Sequence, residues 1–301
     1  MQFQRTIEER AAAPRRLIAE NRAGDLEVVG EDREDVLVTA LVTVEAENAR
    51  AGQQRLEAVR FPIAGSKDAL VLGPPELPRD EPPLVQVLRH LGIARGTRIA
   101  IRIAVPPDVA VRAVQRAGSV RVTGIQAPVD IEVYAGSAQV SAAGDAVRVT
   151  TRLGSASLAD VQGDAFVDSR AGRVLAEHVG GALKVEARRG TVIARDIGGA
   201  VDVDARGGKV VLEDVRGPAR VRTRAGSVDW RGRVGAPVDI ESRAGGLRLA
   251  VTPDSAFWID AEARAGSVRS ELPVDYLKKP DAKAPTVKLR AHAGAIRIVA
   301  I

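Results

Sequence analysis

"ARRGTVIARDIGGAVDVDARGGKVVLEDVRGPARVRTRAG", residues 187–226, nearly repeats itself. An arginine and a glycine return at one spacing, and a valine-rich run follows each. Extended in both directions, the glycines Gly118, Gly136, Gly154, Gly172, Gly190, Gly208 and Gly226 follow one another every 18 residues; Gly245, Gly266 and Gly294 come after 19, 21 and 28. A fixed period of this kind marks an array in which each repeat is completed by its neighbours. Apolar residues fall two and four positions after each glycine (Val192 and Ala194, Val210 and Leu212), which is strand alternation. One Val or Ile follows at seven (Ile125, Val161, Val179, Ile197, Val215), and a second alternating set sits at eleven, thirteen and fifteen, as in Val201, Val203 and Ala205.

Such a repeat is too short for a propeller blade, which needs roughly 40 residues, and its period of two excludes a helical repeat. What remains is an all-β chain, a parallel β-solenoid with coils of about 18 residues, each made of two short strands and two corners. Equivalent positions in successive coils then lie about 4.8 Å apart, so each inward Val meets another above and below it. The RAG, RRG and RGG glycines belong at one corner, where a residue without Cβ can take positive φ or let coils approach. Gly163, Gly181, Gly199 and Gly217 mark the opposite corner. The longer late intervals, including YLKKPDAKAPT, belong in loops that leave those corners.

The first third departs from the period, and the boundary falls at 110: residues 1–110 form an N-terminal coil, insert and cap, and 111–301 the regular coils. GDLEVVG from Gly24 looks like an early coil, 35–45 like a strand, 46–59 like a short helix, and FPIAGSKDALVLG like a hairpin. A proline-dense linker (73–83), a helical stretch LVQVLRHLGI and a strand TRIAIRIAVPP lead back to the array. This region is expected to cover one end of the stack, because an open end exposes strand edges and apolar interior.

Composition narrows the partners. The chain is 45% hydrophobic but only 3% aromatic, so the core is built from Val, Ile, Leu and Ala in thin layers. The net charge is +5, with seven lysines among 44 basic residues and 39 carboxylates interleaved with them. Interleaving and the shortage of stacking aromatics argue against specific nucleic-acid binding. There is no cysteine, hence no disulfide and no thiolate metal site. MQFQRTIEERAAAPRR lacks a signal-peptide core and no apolar run is long enough to span a bilayer, so the chain as it stands is expected in the cytoplasm, or at the cell surface if its N-terminus is truncated.

The order of a GDLEVVG coil, a strand and helix insert, a strand ending in AVPPDVAV, and repeats of RAGSVRVTG and GGAVDVDA type resembles the bacterial family labelled "putative adhesin", a β-strand-repeat domain of unknown function. The resemblance covers essentially the whole chain and implies a right-handed β-solenoid with an adhesin-like binding role. It brings no catalytic signature.

Two positions before each glycine, an outward row forms: Arg116, Tyr134, Arg152, Arg170, Arg188, Arg206, Arg224, Arg243, Arg264 and His292. Two residues earlier on the same face lies a mostly acidic row of Glu132, Asp168, Glu186, Asp204, Glu241 and Glu262, broken by Thr150 and Arg222. Either the carboxylates offset the stacked guanidiniums on a solvated face, or Arg152, Arg170, Arg188, Arg206, Arg224 and Arg243 grip polyanions, whose phosphates or carboxylates suit the arginine fork. An enzyme reading would use Asp202 and Asp204 near Glu186 as acid and base. Equivalent pairs, Asp130 with Glu132 and Asp239 with Glu241, recur with the repeat, so no catalytic, cofactor or metal residue is assigned. His90, His178 and His292 occur singly, and Trp230 takes an inward position. The expected role is a non-enzymatic binding or scaffold surface without cofactor, its partner an anionic polymer or another protein. A self-assembling scaffold and a carbohydrate-active β-helix enzyme are the alternatives. The closing GAIRIVAI, with Ile296, Ile298 and Ile301, reads as an apolar edge strand through which two chains would form a homodimer.

Overall fold

The computed structural model describes residues 1–76, 97–252, 257–272 and 284–301. Within these the chain is all-β with one helix. The LVQVLRHLGI stretch, most of the linker and most of YLKKPDAKAPT lie outside the described residues. The chain divides into two compact units, 1–152 and 153–301.

In the first unit, β1 (Gln2–Ala12) runs antiparallel to β3 (Asp35–Glu45), and β3 antiparallel to β6 (Thr97–Val105). β2 (Arg16–Gly30) is the early coil: it pairs in parallel with β6, and along most of its length with β7 (Ala110–Thr123), bringing Gly24 beside Gly118. Everything between β2 and β7 is therefore an insert placed inside the first coil-to-coil step. β4 (Ile63–Gly65) and β5 (Ala69–Leu72) form the expected hairpin, with β5 laid against the start of β2. The helix α1 (Ala49–Glu57) begins at Asn48, whose side chain accepts a hydrogen bond from the Ala51 amide at 2.9 Å. It docks on β1 through Gly52, where a Cβ would lie 2.3 Å from the Phe3 ring. β1 was not foreseen, because Phe3 and Ile7 are its only large apolar residues. Its charged side chains suit a strand paired on one side only. β8 (Val129–Ala143) continues the parallel stack from β7 at an offset of 18 residues, and β9 (Val147–Val161) carries the division between the units.

The second unit holds β10 (Ala165–Val179), β11 (Leu183–Ile197), β12 (Val201–Val215) and β13 (Ala219–Gly232) in parallel register, with Val167, Val185, Val203 and Val221 aligned and fully buried. Each of these four coils is one strand of 14 or 15 residues, not two short ones, whereas the last three coils are split into two short strands as expected. It bends without breaking at the glycine: Gly190 has φ +133°, and a Cβ there would stand 1.7 Å from the Gly172 carbonyl oxygen. The second bend comes three residues before the expected glycines, at left-handed Asp160, His178, Asp196 and Asp214 with φ of 49–55°. Asp and His tolerate that conformation better than most residues, and it brings the following Val or Ile back to the interior. Gly199 serves close approach instead, since its Cβ would meet Gly181 backbone at 2.5 Å.

The last coils are not stacked in chain order. β14 (Val238–Ala244) and β15 (Leu247–Val251) follow β13 in parallel. Next to them comes the final coil, β18 (Thr286–Ala293) and β19 (Ile296–Ala300), with the earlier coil β16 (Trp258–Ala265) and β17 (Val268–Ser270) beyond it. The closing strand is thus paired on both sides, by β15 and by β17, and the bare C-terminal edge expected to carry a homodimer does not exist. The outward rows show why. Chain order would set Asp239 beside Asp260 and Glu241 beside Glu262; intercalation places Lys288 between the first two and Arg290 between the second two. Apolar content agrees: Val287, Leu289, Ile296 and Ile298 are buried, whereas the aligned positions of the outer coil include the partly exposed Ala261 and the exposed Val268 and Ser270. Ile301, grouped with the two isoleucines in the sequence reading, is exposed. Among the described residues no helix is long and apolar enough to cross a membrane.

Candidate anion-binding surface

The residue three before each corner glycine points inward and is often polar: Asn21, Gln115, Thr151, Ser169, Thr223 and Ser242 are all buried. The sequence reading took this row as core, and the corner explains its polarity. Gln115 Nε2 donates to the Gly24 carbonyl at 2.8 Å and to Ala117 at 2.6 Å, and Ser242 Oγ sits 3.4 Å from the Gly245 carbonyl and 3.5 Å from that of Gly226. In these two coils the bend is held from inside by a side chain, Ala187 and Ala205 fill the same position in others, and the next residue in the strand faces outward.

In the second unit that next residue is Arg170, Arg188, Arg206, Arg224 and Arg243, all exposed and aligned coil upon coil. None of the five makes an ion pair or hydrogen bond with a described residue. The acidic row does not neutralise them directly: Glu186 turns to Lys184 at 3.0 Å, and Glu241 lies 3.5 Å from His292. His292 and Arg264 continue the row in the intercalated order, and Arg264 is 3.9 Å from Glu262. Arg152 belongs to the first unit and is engaged there, its guanidinium 4.2 Å over the Tyr134 ring and 3.2 Å from the Tyr134 hydroxyl. Around Arg224 the surface dips into a depression of about 300 Å³ lined by Asp204, Arg222, Thr223, Arg224, Glu241 and Arg243.

Other outward rows behave differently. Arg195 bonds Glu177 and Glu213, each at 2.8 Å, and these two carboxylates hold its guanidinium above the ordinary arginine range. Arg290 grips Asp260 at 2.5 and 2.9 Å, and that bond holds the carboxyl below the usual aspartate range. Asp202 and Asp204 are exposed and share a face with Glu186, as do their repeats elsewhere. His178 Nδ1 lies 3.2 Å from Asp160 Oδ1, on the row of left-handed bends. Trp230 is buried in the core. One cationic row was missed from sequence: Arg248, Arg297 and Arg269, from three separate coils, stand side by side. All three stand three residues after their corner glycines, Gly245, Gly266 and Gly294, so the repeat aligns them, and the intercalated topology puts Arg297 in the middle.

No protein-family model and no curated protein matches the chain. Solved structures do. The chain is similar to a putative cell adhesion protein from Clostridium sporogenes (10% identity, 99% of this chain and 100% of that one, TM-score 0.25). It is also similar to a putative lipid binding protein from Parabacteroides distasonis (10% identity, 100% and 96%, TM-score 0.39). A putative adhesin from Bacteroides fragilis matches at 10% identity over 99% of this chain and 97% of that one, with a TM-score of 0.43.

Proposed function

We propose that the protein is a non-enzymatic binding surface, a right-handed parallel β-solenoid of about 18-residue coils whose second unit grips a linear polyanion along Arg170, Arg188, Arg206, Arg224 and Arg243. The observation that carries this reading is the row itself: five aligned guanidiniums, none with a partner among the described residues. Neighbouring coils repeat at about 4.8 Å, so the best ligand carries one phosphate or carboxylate per step of similar length. Each arginine fork then meets its own oxyanion. An adhesin-like role, which the sequence resemblance implies, is the same class of task.

The test is titration with a polyuronate and with a polyphosphate at rising salt. Affinity should fall steeply with salt, and Arg188→Gln with Arg206→Gln should weaken it and lower the slope of log K against log salt by about one per arginine. Binding that is absent at low salt, or unmoved by the double substitution, would overturn the proposal. Assaying the same mixtures for newly formed chain ends distinguishes a binder from a carbohydrate-active enzyme.

A further inference from the structure

The intercalated last coil obeys one rule on two of its outward rows and breaks it on a third. Lys288 stands between Asp239 and Asp260, and Arg290 between Glu241 and Glu262, so both rows alternate in sign. On the third row the same coil places Arg297 between Arg248 and Arg269. Like charges directly opposite on neighbouring strands are destabilising, and rows that keep them against the pattern around them mark function.

We infer that Arg248, Arg297 and Arg269 form a second anion site, separate from the five-arginine row, that takes a compact diphosphate group. Arg297 is the fixed centre, its Nη2 held 2.7 Å from Glu271 Oε1. Arg248 and Arg269, on either side, are exposed and have no partner among the described residues. The flanking position toward the corner is occupied by the small residues Gly246, Ala295 and Ser267, so among the described residues no large side chain stands there beside the guanidiniums. Beyond Arg248 the row ends at Asp229, which is already bonded to Arg231 at 3.3 Å, so the outer pair of arginines retains its charge. The two coil steps of about 4.8 Å between the outer arginines suit two linked phosphoryl groups better than one, with a guanidinium fork on each flank.

Inorganic pyrophosphate is the probe, titrated calorimetrically into the full chain. Arg248→Gln with Arg269→Gln should weaken its binding by about tenfold or more. The exposed positions leave the melting temperature in place, and binding of the long polyanion should be unchanged. Arg188→Gln with Arg206→Gln should have the opposite selectivity. Pyrophosphate that binds equally well after Arg248→Gln with Arg269→Gln, or that does not bind the unsubstituted chain, overturns the site. Loss of polymer binding alone would instead count against the five-arginine row.

Discussion

Reversing the charge at Arg290 tests the intercalated order, because only that order gives this side chain acidic neighbours on both flanks. Arg290 faces Glu241 on one strand and Glu262 on the other, and it bonds Asp260 through both carboxylate oxygens. A favourable cross-strand pair is worth about 0.2–1 kcal/mol, and a like-charged pair costs a similar amount. Arg290→Glu therefore changes each of three contacts by about 0.4–2 kcal/mol. With both Arg290 and Asp260 side chains 33% exposed, solvent screening places the total near the lower half of that range, about 2–3 kcal/mol. Arg290→Gln should cost about half as much. Urea unfolding followed by Trp230 and Trp258 fluorescence reads the second unit, which holds both tryptophans. Glu241→Arg combined with Arg290→Glu should recover part of the loss, since the two rows are adjacent only when the last coil is inserted. Arg206→Glu, at a position without partners, is the control. A loss at Arg290→Glu no greater than at Arg206→Glu, with no coupling to Glu241, would refute the order of coils.

Val203→Asp places a carboxylate between Val185 and Val221, all three fully buried, and should lower stability by several kcal/mol, while the exposed Asp204→Val should be mild; comparable losses in thermal melts would contradict the facing of the strand. Gly190→Ala should be as damaging as a core substitution although its side chain is small, because the new methyl meets the Gly172 carbonyl at 1.7 Å and the backbone is left-handed; a melt within a degree of the parent would show that the corner relaxes. Asp260, depressed by Arg290, contributes stability that is present above the ordinary aspartate pKa of about 3.9 and disappears as pH falls through its own lower value. The stability gap between the parent and Asp260→Asn should accordingly close in acid, and a gap independent of pH would contradict the pairing.

The sequence made the repeat legible because parallel stacking writes itself as period: inward Val203 must resemble Val185 and Val221, and the corner glycines must recur where a Cβ would strike the coil below. The helix and hairpin of the insert were equally open to reading from Asn48 and from the alternation of 61–73. Coil order was not. Period says which residues are equivalent but nothing about which coil lies next to which, and the signal that decides it is pairwise: Lys288 and Arg290 suit positions between two acids, and Ile296 and Ile298 need a neighbour on each side. The second bend was misplaced for a related reason. Glycine draws attention to Gly181 and Gly199, yet the left-handed residues are His178 and Asp196, whose side chains also fit an ordinary strand face.

Repetition alone does not account for the five-arginine row. In a stack of coils every outward position becomes a file of side chains about 4.8 Å apart, and each file can settle its charges independently. The file five residues after the glycine alternates through Glu177, Arg195, Glu213 and Arg231, and the file six before it alternates through Lys184, Asp202, Arg220, Asp239, Lys288 and Asp260. Alternation is what cross-strand electrostatics favours, and the chain achieves it even where that requires threading its last coil between two earlier ones. Arg170, Arg188, Arg206, Arg224 and Arg243 stand at the same place before their corner glycines and have no acid in their file at all. The polyanion proposed above would relieve the repulsion in that file by supplying the alternating charge that the protein leaves out.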